Sequence, residues 1–192
     1  MADTLQMATN VNAAYVTAGK PKVGGAIWRA PVGTPIPSDA KTALNAAFKS
    51  LGYISDDGVK NENKLDTDDV KAWGGNTVAS LLKEKTDKFE VTLIEALNVE
   101  VLKTAFGSKN VTGTLDDKVV IKSNSSETED AIYVIETVLK GGYIKRIVVP
   151  AGTISEVGEV EYKDDAVIGY ELTITAKPDG SENTHYEYIE KA

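Results

Sequence analysis

The chain has 192 residues, enough for one sizeable core, and a net charge of −8 from 21 basic and 29 acidic side chains. That balance argues against strong binding to a phosphate backbone, which needs clustered Lys and Arg. The absence of cysteine excludes disulfides, thiolate metal sites and thiol catalysis. No apolar run approaches the roughly 20 residues of a membrane-spanning helix, and the amino end lacks a basic region followed by an apolar stretch. Charge is unevenly spread. Residues 1–50 carry five basic and two acidic groups, whereas residues 151–192 carry three and ten.

In chain order, residues 1–25 read as an arm, small and polar with no sustained period, ending in Gly24-Gly25. Ala26-Ile27-Trp28 is a short apolar piece, and three prolines between Ala30 and Ser38 forbid a central strand or a helix there. Ser38 or Asp39 can cap a short helix with Ala43, Leu44, Ala47 and Phe48 on one face and Gly52 beyond its end. Residues 55–76 read as a long loop, opened by the Asp56-Asp57-Gly58 turn and closed by Trp73-Gly74-Gly75.

After residue 76 the pattern turns to strands. Phe89, Val91 and Leu93 alternate with Glu90 and Thr92, and Thr86–Lys88 is a candidate hairpin connection back to Val78–Leu82. Residues 98–106 predict the best helix: Leu97, Val101, Leu102, Ala105 and Phe106 share a stripe, Asn98 caps it and Gly107 ends it. Ala131–Leu139 is apolar in both registers, as a central strand is, and Gly141-Gly142 turns it into Tyr143–Val149. Ile154–Tyr162 and Val167–Thr175 are further strands. In the second, Ile168, Tyr170, Leu172 and Ile174 face one way and Gly169, Glu171, Thr173 and Thr175 the other. Lys177–Asn183 is a loop, and residues 179–192 form a closing arm. The expected fold is mainly β: an antiparallel sandwich or barrel over residues 26–178, with one or two helices, terminal arms and a long loop.

Chemistry finds little support. The single histidine, His185, lies in a polar tail, and no serine sits in a nucleophile elbow. Gly19–Gly24 lacks the phosphate-loop spacing. Asp66, Asp68 and Asp69 suggest a metal loop, but Lys71 stands where a calcium loop needs glycine and Thr77 where it needs glutamate. No catalytic, cofactor or metal site is therefore expected. Trp28 and Trp73 beside small residues suit anchors on a partner chain, although a tryptophan more often belongs to a core.

Three blocks, Gly24–Ser38, Leu51–Val59 and Val70–Asn76, followed by Phe89–Ala96 and Val99–Gly107, resemble the major tail proteins of long-tailed, non-contractile bacteriophages of Gram-positive hosts. The blocks stand in that family's order, and the resemblance covers about residues 20–110. It implies a non-enzymatic tail tube subunit of the virion, made in the host cytoplasm. Such subunits form a β-sandwich with a flanking helix and assemble into stacked, generally hexameric rings whose lumen conducts DNA to the cell. The implied partners are other copies of the chain, with the tape measure, tail terminator and distal tail proteins, and no membrane. On that basis residues 55–76 are an assembly loop, with Trp28, Asp56, Asp57, Trp73, Gly74 and Gly75 at subunit contacts. Glu171, Thr173 and Thr175 would face a net negative lumen. The other readings open at this point are the tube of a tail-like bacteriocin or injection device, and a β-sandwich module that binds carbohydrate or a receptor.

Overall fold

The computed structural model describes residues 12–192, so the first part of the expected N-terminal arm lies outside the described residues. The elements are β1 (Lys20–Pro21), β2 (Ile27–Pro31), β3 (Lys49–Ser50), β4 (Ile54–Lys71), β5 (Thr77–Leu93), α1 (Val99–Phe106), β6 (Val111–Thr112), β7 (Val120–Ile121), β8 (Ala131–Leu139), β9 (Tyr143–Val157), β10 (Tyr170–Ala176) and β11 (Tyr186–Lys191). The main sheet runs β3-β2-β8-β9-β10-β5-β4, every pairing antiparallel, with β1 added to β8 and β11 to β9. The expected antiparallel β architecture is the one observed.

β9 is the strand that folds the sheet over. Its first part pairs with β8 on one side and β11 on the other; beyond Gly152 the second side passes to β10. A register shift in the β8–β9 ladder and another in the β9–β10 ladder mark this change, as bulges do where a sheet bends. The main core fills the inner side: Ile27, Phe89, Val91, Leu93, Tyr133, Ile135, Val149, Leu172 and Ile174 with α1 residues Val101, Leu102 and Ala105. A smaller core on the opposite face joins Ala30, Phe48, Ile132, Val134 and Val148, with Trp28, Leu44, Tyr186 and Tyr188 packed on it.

The helix forms where the sequence asks for it. The Asn98 side chain accepts from the Glu100 amide, and Gly107 follows the last turn at φ 87°. Phe106 meets Tyr170 edge-on at 5.7 Å, which seats the helix on the sheet. Leu97 departs from the expected stripe and is exposed, because it precedes the first turn.

Four sequence expectations need correction. Residues 38–48 form turns instead of a helix: Asp39 Oδ1 takes the Lys41 and Thr42 amides, and its own carbonyl accepts from buried Arg146. These local and long-range bonds supply the backbone partners that a helix would have offered. Thr86–Lys88 makes no turn but lies in mid-β5, and the turn is Ala72–Asn76 instead. Residues 55–76 are thus no loop; most of them form one strand of a two-stranded arm. The strand expected over Ile154–Tyr162 ends at Val157 as the tail of β9.

Candidate functional site

The arm built by β4 and β5 is a large feature that the core does not require. β4 and β5 pair from Val59–Val91 out to Lys71–Thr77. Near the body, Val91 and Phe89 on β5 bury one face. From Lys60 to Lys85 every residue is exposed, so both faces of the arm are bare. It ends in a turn closed by Ala72 N–H to Asn76 C=O and by Gly75 N–H to Ala72 C=O. Gly74 and Gly75 take φ of 106° and 91° there, conformations that side chains other than glycine rarely adopt.

Trp73 sits at that tip, fully exposed, with Val70, Val78, Leu81 and Leu82 exposed behind it. These large apolar side chains on an unsupported hairpin are exposed to solvent rather than packed on the core. The aspartates of the same segment are divided between the faces. Asp66 and Asp68 share one, opposite Glu84 and Leu81, and Lys83 lies 3.9 Å from Asp68. Asp69 is on the other, where its side chain accepts from Ser80 at 2.5 Å. Among the described residues no group of three or more acidic or histidine side chains is arranged to hold a metal ion.

At the root, Asp56 and Asp57 stand in a bulge between Ile54 and Val59 and line an open cleft of about 610 Å3 with Phe89, Ile147 and Ile189. Trp28 is elsewhere, half-buried in β2 against the smaller core, its indole N–H enclosed without an acceptor among the described residues. The structure therefore gathers Trp73, Gly74 and Gly75 at one point, puts Asp56 and Asp57 at the base of the same arm, and sets Trp28 apart.

The polar face of β10 continues across the sheet. Glu171, Thr173 and Thr175 lie opposite Thr92, Glu90 and Lys88 of β5, and Glu90 and Lys88 lie opposite Lys60 and Glu62 of β4. Directly paired residues share a face. One surface thus carries Glu62, Glu90 and Glu171 against Lys60 and Lys88, with threonines between them, and Leu172 and Ile174 turn inward.

Sequence reasoning missed the polar cluster at the arm's root. Asp87 is fully buried, accepting from Asn61 Nδ2 at 2.9 Å and Thr184 Oγ1 at 2.5 Å, with His185 Nδ1 at 2.6 Å. Burial pushes the Asp87 carboxyl up, but hydrogen bonds from Thr184, His185 and Asn61 outweigh it and hold the group below its ordinary value. His185, which the sequence places in a polar tail, belongs to this cluster, which no local pattern announces because Asp87 and His185 lie 98 positions apart.

No curated protein matches the chain. The family model described as phage tail tube protein matches residues 7–192, nearly the whole length and well beyond the blocks that carried the sequence resemblance. The antiparallel sheet with one flanking helix and the protruding arm fit a structural subunit that assembles with copies of itself into the tube of a virion tail. The chain belongs to the phage tail tube protein family.

Proposed function

We propose that this subunit forms stacked, six-membered rings in the tail of a long-tailed, non-contractile phage of a Gram-positive host, with the arm of residues 60–85 joining neighbouring subunits or rings. The observation that carries this reading is the arm itself: a paired, two-stranded extension, exposed throughout, with Trp73 and an apolar group at its end. A lone hairpin of this kind has little to stabilise it, and contact with another subunit supplies the missing cover. Trp73, Gly74 and Gly75 make the distal contact, Asp56 and Asp57 the one at the root, and the accessible part of Trp28 a third.

Free sheet edges support the same reading. Among the described residues, β4 is the last strand on its side, and β2 is paired only by the two residues of β3 on the other. Open edges invite further strands, and a closed ring of copies uses them up. Glu171, Thr173 and Thr175 then belong to the lumen, a polar face that repels DNA as it passes and leaves ejection unhindered. Tape measure, terminator and distal tail proteins meet the ends of the tube, and synthesis takes place in the host cytoplasm. Negative-stain microscopy of concentrated protein tests the proposal: tubes or six-fold rings are expected, and persistent monomers would overturn it.

A further inference from the structure

The β4–β5 ladder runs unbroken from the body into the arm, and one buried side-chain cluster stands at the boundary. On the sheet face that bears Val91 and Phe89, Asp87 is the last buried side chain; Lys85 and Leu65, the next pair outward, are exposed. The boundary between body and arm is therefore a carboxylate. Asp87 of β5 is joined to Asn61 of β4 and to Thr184 and His185, which lead into β11. Asn61 Nδ2 also donates to the Lys88 carbonyl at 3.1 Å, and the His185 ring packs edge-on against Phe89 at 5.4 Å. Three chain segments meet at one buried charge.

We propose that this cluster is a latch that fixes the direction in which the arm leaves the body, and that opening it lets the arm pivot about the Asn61–Asp87 line. The proposal rests on the reading of the arm as an assembly element, and adds how that element is aimed. Hydrogen bonds are directional where apolar packing is not, so this junction sets an angle as well as a contact. A buried carboxylate needs its donors, which keeps the latch closed while all three are in place. Once open, Asp87 meets water and is solvated, and the core face that loses cover is the edge of Phe89 beneath His185.

The segment carrying two of the donors is itself outside that core. Residues 177–185 form a loop organised by Asp179, whose side chain accepts from the Ser181 and Asn183 amides and from Tyr186 Oη. Glu182 in this loop has φ 63°, a strained value for a residue other than glycine. Such a loop can shift Thr184 and His185 without disturbing the strands beneath them.

The chain has no cysteine, so a pair of spin labels can be placed cleanly at Asp68→Cys in the arm and Glu156→Cys on β9, both exposed positions. In dilute, unassembled protein one narrow distance distribution is expected. Asp87→Asn and Thr184→Val should each widen it at least about two-fold, as local opening does. Lys177→Ala, which breaks the exposed pair with Asp130, should leave it unchanged. Near-UV circular dichroism checks that each variant is folded, and Thr184→Val, the milder change, carries the test where Asp87→Asn is not. An arm equally narrow in the folded variants, or already broad with the cluster intact, overturns the latch. Because no tube is needed, that result leaves the tail tube reading standing.

Discussion

Arg146 donates to one oxygen of Glu136 from both Nε and a terminal nitrogen, at 3.0 and 2.6 Å, and both side chains are buried. Lys22 Nζ reaches the same oxygen at 3.0 Å, and Arg146 also donates to the Asp39 carbonyl at 2.8 Å. The pair thus ties β8 and β9 to the segment after β1 and to the proline-rich stretch, neither of which has a regular ladder of its own. Removing one member leaves a buried charge without its partner. Glu136→Ala is expected to cost about 3–5 kcal/mol in urea unfolding, and the double change to methionine at 136 and 146 much less. An equal cost for both would show that the side chains act by packing alone.

A second node is acid-sensitive. Burial pushes the Glu129 carboxyl up, but hydrogen bonds from Ser108 and Arg29 prevail and hold it at about 2, below its ordinary 4.5. The folded value is the lower one, so the stabilisation is complete above pH 4.5 and is lost as pH falls towards about 2. Asp87 and Asp130 are also lowered and act with the same sign. Glu129→Gln is expected to lower stability at neutral pH and to flatten its decline between pH 4.5 and 2. Denaturant titrations across that range check both effects, and an unchanged slope would remove Glu129 from the account.

Packing at the fold-over of β9 is equally specific. A Cβ on Gly152 would lie 2.8 Å from Ile174 Cγ2 and 3.1 Å from the Tyr133 ring, both buried side chains with little room to move. Gly152→Ala is expected to destabilise by about 1–3 kcal/mol through overpacking. Thermal unfolding measures it, and a neutral result would mean that β9 and β10 shift apart more easily than their register suggests.

The elements that declared themselves in the sequence are those whose burial is local and periodic. Tyr170, Leu172 and Ile174 alternate with Glu171 and Thr173, and the strand pairs in that register. Asn98 and Gly107 bracket α1 as their chemistry demands. The arm was unreadable because neither of its faces is buried along Lys60–Lys85, so no alternation records the strands. Thr86–Lys88 resembled a turn because an aspartate between polar neighbours normally is one. What buries Asp87 is Thr184 and His185, nearly a hundred positions away, and no local window contains them. Trp73 stood out in the sequence beside its glycines, and the structure places it in the turn that joins β4 to β5.

That position separates folding from assembly. Trp73 touches no core residue, so Trp73→Ala is expected to change unfolding stability by less than about 0.5 kcal/mol. Tube formation in concentrated protein should fall sharply, because the tip loses its largest apolar group. Sedimentation and negative-stain counts give the answer. Tubes of normal length from the variant would show that the arm makes its contacts without the indole.

The polar face of β10 gives the last test. Glu171, Glu90 and Glu62 outnumber Lys60 and Lys88 on the surface we propose lines the lumen, and the intervening threonines bring no charge. All five side chains are at least partly exposed, so charge reversal there should leave the core undisturbed. Glu171→Lys with Glu90→Lys turns the face basic. Tubes of this variant are expected to retain short duplex DNA at low salt and release it as salt rises, since released counterions drive such binding. Unmodified tubes should retain none under the same conditions. DNA that co-sediments equally with both kinds of tube would mean that this face looks away from the channel, and the lumen would then have to be sought on the other side of the sheet.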